Sequence, residues 1–206
     1  MHLEALTKTG REIFPILKNF SEFYLAGGTA LALQLGHRVS SDFDLFSGID
    51  IPAELLPLVQ KTFDKKTFQI SVNNREELTV FINGVKITFL NYPFPVLEDT
   101  TEYEGLKMLG VSEIATTKAY TIGRRGSFKD YVDLYFAVKE KIIGLDGIIK
   151  QADKKYGGYF NGRLFLEQLV YLNDIEDTEI IFLKETVDKN NLEEFFVAEI
   201  KKIKFD

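Results

Sequence analysis

Asp42 and Asp44 stand one residue apart in the stretch YLAGGTALALQLGHRVSSDFDLF, residues 24–46. On an extended segment alternate side chains point the same way, so the two carboxylates share a side. Carboxylates so placed repel one another unless a cation or a proton lies between them. Their oxygens suit Mg²⁺, which takes one or two protein carboxylates and fills its shell with phosphate oxygens and water. Gly27, Gly28 and Thr29 offer the complementary part. Glycines let the backbone approach a phosphate, and free amides at a helix start face an anion. Arg38, Ser40 and Ser41, between the two parts, add donors for phosphate oxygens. A Gly-Gly bend alone is an ordinary turn, and a lone Asp-x-Asp is an ordinary solvated strand start. Only their combination points to phosphate and metal.

The elements that must position these residues are legible around them. FYLAGG (23–28) reads as a short buried strand ending in a glycine turn. TALALQLG (29–36) reads as a helix capped by Thr29 and ended by Gly36. FDLFS (43–47) is the next strand, and IPAELLPLVQKTF (51–63) a helix. Strands follow at about 67–72, 78–82 and 85–90, the last two joined by Asn83-Gly84, a strong hairpin signal. Residues 3–20 have a helical rhythm interrupted by Pro15. NYPFPVLEDTTEYEG (91–105) reads as a connector, and from about Val111 the pattern is helical throughout. The expected class is α+β: a mixed-sheet domain over residues 1–95, then a helical bundle over 96–206.

Composition bounds the function. A chain of 206 residues with 45% hydrophobic content, 18 Phe and 9 Tyr can bury a sizeable core. Zero Cys excludes disulfides and thiolate metal sites. His2 and His37 are too few for a histidine metal site, and His37 reads as a helix-end surface residue. The sequence has neither a membrane-spanning apolar run nor the pattern of a signal peptide, so a cytosolic protein is expected. A net charge of −6 argues against a broad nucleic-acid footprint, whereas the local cluster GRRGSFK (123–129) suits a small anion.

A second group of residues lies in TTKAYTIGRRGSFKDYVDLYF (116–136). Lys118 and Arg125 share a face if their helix is unbroken, but Gly123 and Gly126 favour a break with a new helix near Ser127 or Phe128. Asp130 and Asp133, three apart, share a face of that second helix. The plain alternative for all four is a salt-bridged joint between helices. Tyr131, Tyr135 and Phe136 read as core, and a base could stack near Tyr156, Tyr159 and Phe160, although packing is the simpler reading.

Taken together, AGGTALALQLGHRVSSDFDLF resembles the signature of the AbiEii/AbiGii-type toxins, a branch of the nucleotidyltransferase superfamily. There, a Gly-Gly or Gly-Ser turn starts a helix and an Asp-x-Asp or Asp-x-Glu pair follows on the next strand. The 116–136 segment is similar to the family's helical motif at Lys118, Arg125, Lys129, Asp130 and Asp133, and GVKITFLNYPFP resembles the intervening strand. The resemblance implies a nucleotidyltransferase using Mg²⁺ (or Mn²⁺) and a nucleoside triphosphate. Asp42 and Asp44 would hold the metal, and Asp42, Asp44, Lys118 and Asp130 would form the catalytic set. Gly27, Gly28, Thr29, Arg38, Ser40, Ser41 and Arg125 would bind the nucleotide, with Lys118 on its phosphates and Asp130 on the acceptor side. The implied acceptor is a hydroxyl on RNA, tRNA included, or on protein; a cognate antitoxin is the implied protein partner.

The chain departs from this pattern at Thr88, where the superfamily usually carries a third carboxylate. A hydroxyl cannot bridge Mg²⁺ or take a proton as a carboxylate does. Three readings follow: Asp130 or another acid serves as the base, two carboxylates suffice, or the protein binds nucleotide without turning it over. The last makes a degenerate nucleotide-binding protein acting through a partner the competing function. A phosphatase with its nucleophile in Asp-x-Asp is set aside, because HRVSS ahead of Asp42 is too polar for the buried strand such enzymes need.

Overall fold

A computed structural model describes residues 1–64 and 66–203, with the side chain of Arg125 outside the description. A 3-10 turn, Leu3–Ala5, leads to α1 (Lys8–Ile13) and a second 3-10 segment, Phe14–Asn19. β1 (Tyr24–Ala26) runs directly into α2 (Gly27–Leu35), followed by β2 (Phe43–Ser47) and α3 (Leu55–Thr62). β3 (Phe68–Asn73), β4 (Glu77–Ile82) and β5 (Val85–Asn91) come next, then the short strands β6 (Thr101–Tyr103) and β7 (Leu106–Met108). The helices α4 (Val111–Arg125), α5 (Phe128–Lys139), α6 (Leu145–Tyr156), α7 (Gly162–Leu169) and α8 (Lys189–Ile200) complete the order.

The strands form one mixed seven-stranded sheet in the order β3-β4-β5-β2-β1-β7-β6, giving an α+β fold. Asn83 and Gly84 both have positive φ, as a tight hairpin twisted to match its strands requires, and they fix the β4–β5 register at Thr79 opposite Thr88. β5 lies parallel to β2 with Asp44 beside Thr88, and β1 lies antiparallel to β2 with Ala26 beside Asp44. Thr79, Thr88, Asp44 and Ala26 therefore form one row across the sheet.

Alternation along the strands divides the sheet into two faces. Phe43, Leu45, Leu78, Val80, Ile87 and Phe89 are buried on one of them. Phe14 stacks on Phe43, and Phe20 and Phe23 meet the edge of Phe89 at 5.0 and 5.1 Å. Each ring so buried contributes roughly 1.5–3 kcal/mol, which is why the phenylalanine-rich amino-terminal segment clamps here. The opposite face carries Asp44, Phe46, Lys86, Thr88 and Leu90, and α4 stands across a cleft from it. Helix α2 packs on both α4 and α5, joining the helical part to the sheet.

Two expectations need revision here. The 91–105 segment is not only a connector: β6 forms within it and pairs with β7, which pairs in parallel with β1 at Leu25–Met108. The sheet thus continues past the division expected at 95/96. The helix expected from Thr29 begins instead at Gly27, with Ala26 in the capping position, so the glycine pair is itself the first turn. Among the described residues no helix is long and apolar enough to cross a membrane.

Candidate active site

Gly27 is held at φ +65°, a left-handed conformation in which side chains are strained. A Cβ there would also collide with the Asp44 carboxylate. Gly28 meets a different neighbour: its Cβ would run into the Arg38 guanidinium and come within 3.1 Å of Asp133 Oδ2. The bend is therefore wedged between Asp44 on one side and an Arg38–Asp133 pair on the other. No side chain caps α2, so the amides of its first turn are left for an anion.

Asp42 is exposed just ahead of β2, and Asp44 is half-buried within it. Burial pushes the Asp44 carboxyl above the usual aspartate range, the charges of Lys118 and Lys86 oppose the shift, and Asp42 and Asp130 reinforce it. A carboxylate that resists ionisation among like charges suits a site completed by a cation. Among the described residues no group of three His, Cys, Asp or Glu side chains is placed to hold a metal by itself. Two carboxylates fit a hard divalent ion that takes the rest of its shell from phosphate and water.

Asp133 is fully buried and gathers three cationic or polar partners. Arg38 donates to it through Nε at 2.7 Å and Nη2 at 3.0 Å, His37 Nε2 lies 2.8 Å away, and Lys118 Nζ lies 2.9 Å away. Burial alone would raise the Asp133 carboxyl, but Arg38 and Lys118 outweigh it and hold the group well below the usual range. The Lys118 ammonium is held charged in turn: burial disfavours it, and Asp133 and Asp130 more than compensate. Asp130 Oδ1 takes Lys118 at 2.5 Å, while its Oδ2 accepts from the amide and hydroxyl of Ser127, both at 2.9 Å. This closes the first turn of α5 and aims Lys118 at the cleft.

Several expectations change with this network. Arg38, expected on phosphate, is buried, and its guanidinium is committed to Asp133. His37, expected on the surface, is fully buried against Phe136. Thr29, expected as a helix cap and phosphate ligand, donates instead to the Asp42 carbonyl and lies 2.7 Å from Ser40 Oγ, tying the start of α2 to the start of β2. Ser40 is thereby engaged as well, and Ser41 donates to Asp42 Oδ1 at 3.1 Å. Asp130, expected on the acceptor side, has both oxygens occupied within the protein. The side chain of Arg125 lies outside the described residues.

Two hollows meet at Asp44. The larger, about 440 Å³, runs from Gly27 and Gly28 past Lys118, Lys86 and Thr88 to an apolar end at Phe46, Leu90 and Ile114. The smaller, about 150 Å³, holds Asp42, Ser40, Ser41 and Lys129 and shares Gly28, Asp44, Lys118 and Asp130 with the first. Sequence reasoning overlooked Lys86 and Glu77 on the larger hollow. The signal was present, because counting outward from Asn83-Gly84 places Lys86 and Thr88 on one face and Glu77 diagonally beside Thr88.

Known proteins resemble this chain in sequence or in fold. An uncharacterised protein of Aquifex aeolicus (strain VF5), aq_aa25, is 30% identical over 185 residues, covering 88% of this chain and 87% of that protein. The crystal structure of a Helicobacter pylori protein described as a candidate nucleotidyltransferase superposes with a TM-score of 0.56 at 22% identity, covering 92% of each chain. JHP933 from Helicobacter pylori gives 0.54 at 19% identity, covering 98% of this chain and 91% of that one. At these identities the structural matches establish a shared fold. Residues 12–205 match the family described as nucleotidyl transferase AbiEii toxin, type IV TA system, and the chain belongs to that family.

Proposed function

We propose that the protein moves a nucleotidyl group from a nucleoside triphosphate to a hydroxyl of an acceptor RNA, tRNA among them, with a protein hydroxyl as the competing acceptor. The observation that carries this reading is the Asp44 carboxylate lodged against the uncapped glycine start of α2, with Lys118 beside it. Asp42 and Asp44 would hold Mg²⁺ or Mn²⁺, which neutralises the triphosphate and polarises it for attack. The amides of Gly27 and Gly28 receive phosphate oxygens, and Lys118 and Lys86 balance their charge from opposite walls. The apolar end at Phe46, Leu90 and Ile114 accommodates the base. Asp133 holds Arg38 and Lys118 in place, so positioning carries most of the catalysis, as is general for phosphoryl transfer. Membership of a type IV toxin–antitoxin family implies an antitoxin as the partner that restrains this activity.

Incubation with each labelled triphosphate, Mg²⁺ and total cellular RNA tests the reading. Label should enter RNA with the wild-type protein and stay out with Asp44→Asn; transfer that survives this substitution removes the carboxylate from the mechanism. Nucleotide affinity by calorimetry without product on RNA or protein would favour the binding-only alternative that Thr88 suggests.

A further inference from the structure

The larger hollow is lined by three carboxylates: Asp44, Asp130 and Glu77. Asp44 faces the glycine bend. It is assigned to the metal in the reading above, and Asp130 already accepts from the Lys118 ammonium and from the amide and hydroxyl of Ser127. Glu77, half-buried on β4, accepts from Thr79 Oγ1 at 2.6 Å. Thr79 Oγ1 also lies 3.2 Å from Thr88 Oγ1, and both threonines are buried. A hydroxyl carries one proton. With Thr79 donating to the carboxylate, Thr88 donates to Thr79, and the chain runs Thr88 to Thr79 to Glu77. Thr88 is the residue paired with Asp44 across β5 and β2, so the chain starts beside the reacting centre and ends on a carboxylate two strands away.

We propose that Glu77 is the proton acceptor of the reaction, reached through the hydroxyls of Thr88 and Thr79, and that it performs the task of the acid missing at position 88. The proposal rests on the nucleotidyl-transfer reading above. The acceptor oxygen bonds to the α-phosphorus as the bond from that phosphorus to the pyrophosphate oxygen breaks, and pyrophosphate leaves with the electron pair. The acceptor's proton passes to Thr88 Oγ1, the Thr88 proton to Thr79 Oγ1, and the Thr79 proton to Glu77 Oε1. Neutral Glu77 then returns its proton to water through the open cleft. Thr88 and Thr79 relay the proton in this scheme, and the sheet register sets their spacing.

Single-turnover transfer, with triphosphate affinity measured separately by calorimetry, tests this on the full chain. Glu77→Gln should lower the rate of transfer by about 100-fold or more, the scale of general-base catalysis, while triphosphate affinity stays unchanged. The Thr79→Val/Thr88→Val double variant, whose carboxylate remains, should fall by a similar factor. Glu77→Gln combined with Thr88→Asp, which puts an acid directly beside Asp44, should recover most of the rate. Wild-type rates in Glu77→Gln or in the double valine variant overturn the proposal, as does a loss confined to triphosphate affinity or a failure of Thr88→Asp to rescue. The underlying reading fails differently: the wild-type protein would then show no Asp44-dependent transfer at all.

Discussion

Replacing Gly27 by alanine separates the two reasons for glycine at this bend. The first is conformational: a left-handed backbone costs a residue with a Cβ about 1–2 kcal/mol. The second is steric, because the new methyl occupies space now held by an Asp44 carboxylate oxygen. Asp44 would have to turn away from the bend, and a displacement of roughly 1 Å at a reacting centre costs about 100-fold in rate. The expected outcome is thus a protein that folds with a loss of about 1–2 kcal/mol from strain plus a further clash penalty, and transfers label at about a hundredth of the wild-type rate. Urea denaturation of Gly27→Ala, Asp44→Ala and the double variant isolates the second part. With the carboxylate gone, the penalty for Gly27→Ala should shrink toward the strain alone, giving a coupling between the sites. An identical penalty in both backgrounds, together with full transfer by Gly27→Ala, would refute the claim that bend and acid meet.

Two further perturbations read the electrostatics. Because Asp44 is raised in the folded protein, its ionisation opposes folding; the penalty is absent at pH below the ordinary aspartate value of about 3.9 and grows as pH rises through the folded one. Asp44→Asn should therefore raise the melting midpoint at pH 7 and leave it unchanged near pH 4, by scanning fluorimetry; a variant less stable at pH 7 contradicts the assignment. Asp133 has the opposite sign, stabilising above about pH 4 and losing that contribution as pH falls toward its depressed folded value. Asp133→Asn leaves Arg38 buried without its counter-ion and should cost about 3–5 kcal/mol in urea at pH 7, and a loss below about 1 kcal/mol would mean that water or another acid already serves Arg38.

Local chemistry made parts of this molecule readable in advance. Asn83-Gly84 announces its hairpin because so few residue pairs accept two positive φ angles, and the register of β4 and β5 follows by counting. The break before Ser127 and the left-handed Gly36 are equally local. What escaped depends on partners far along the chain. Strands β6 and β7, three residues each, are too short to show a period and exist because β1 has an edge to offer. His37 reads as a surface residue at a helix end and Arg38 as a phosphate donor, and only the arrival of Asp133, 95 residues beyond Arg38, buries them. Thr29 reads as a helix cap until Asp42, just ahead of β2, supplies a carbonyl for its hydroxyl.

That long reach of Asp133 has a consequence for synthesis. A ribosome releases the glycine bend and the acids of β2 well before it releases the residue that neutralises Arg38 and Lys118. Until α5 emerges, the growing polypeptide has cations whose resting place has not yet been made, and Arg38 and Lys118 lack the carboxylate that fixes them. A chain built this way completes the buried ion cluster beside its candidate site only after Asp133 has left the tunnel.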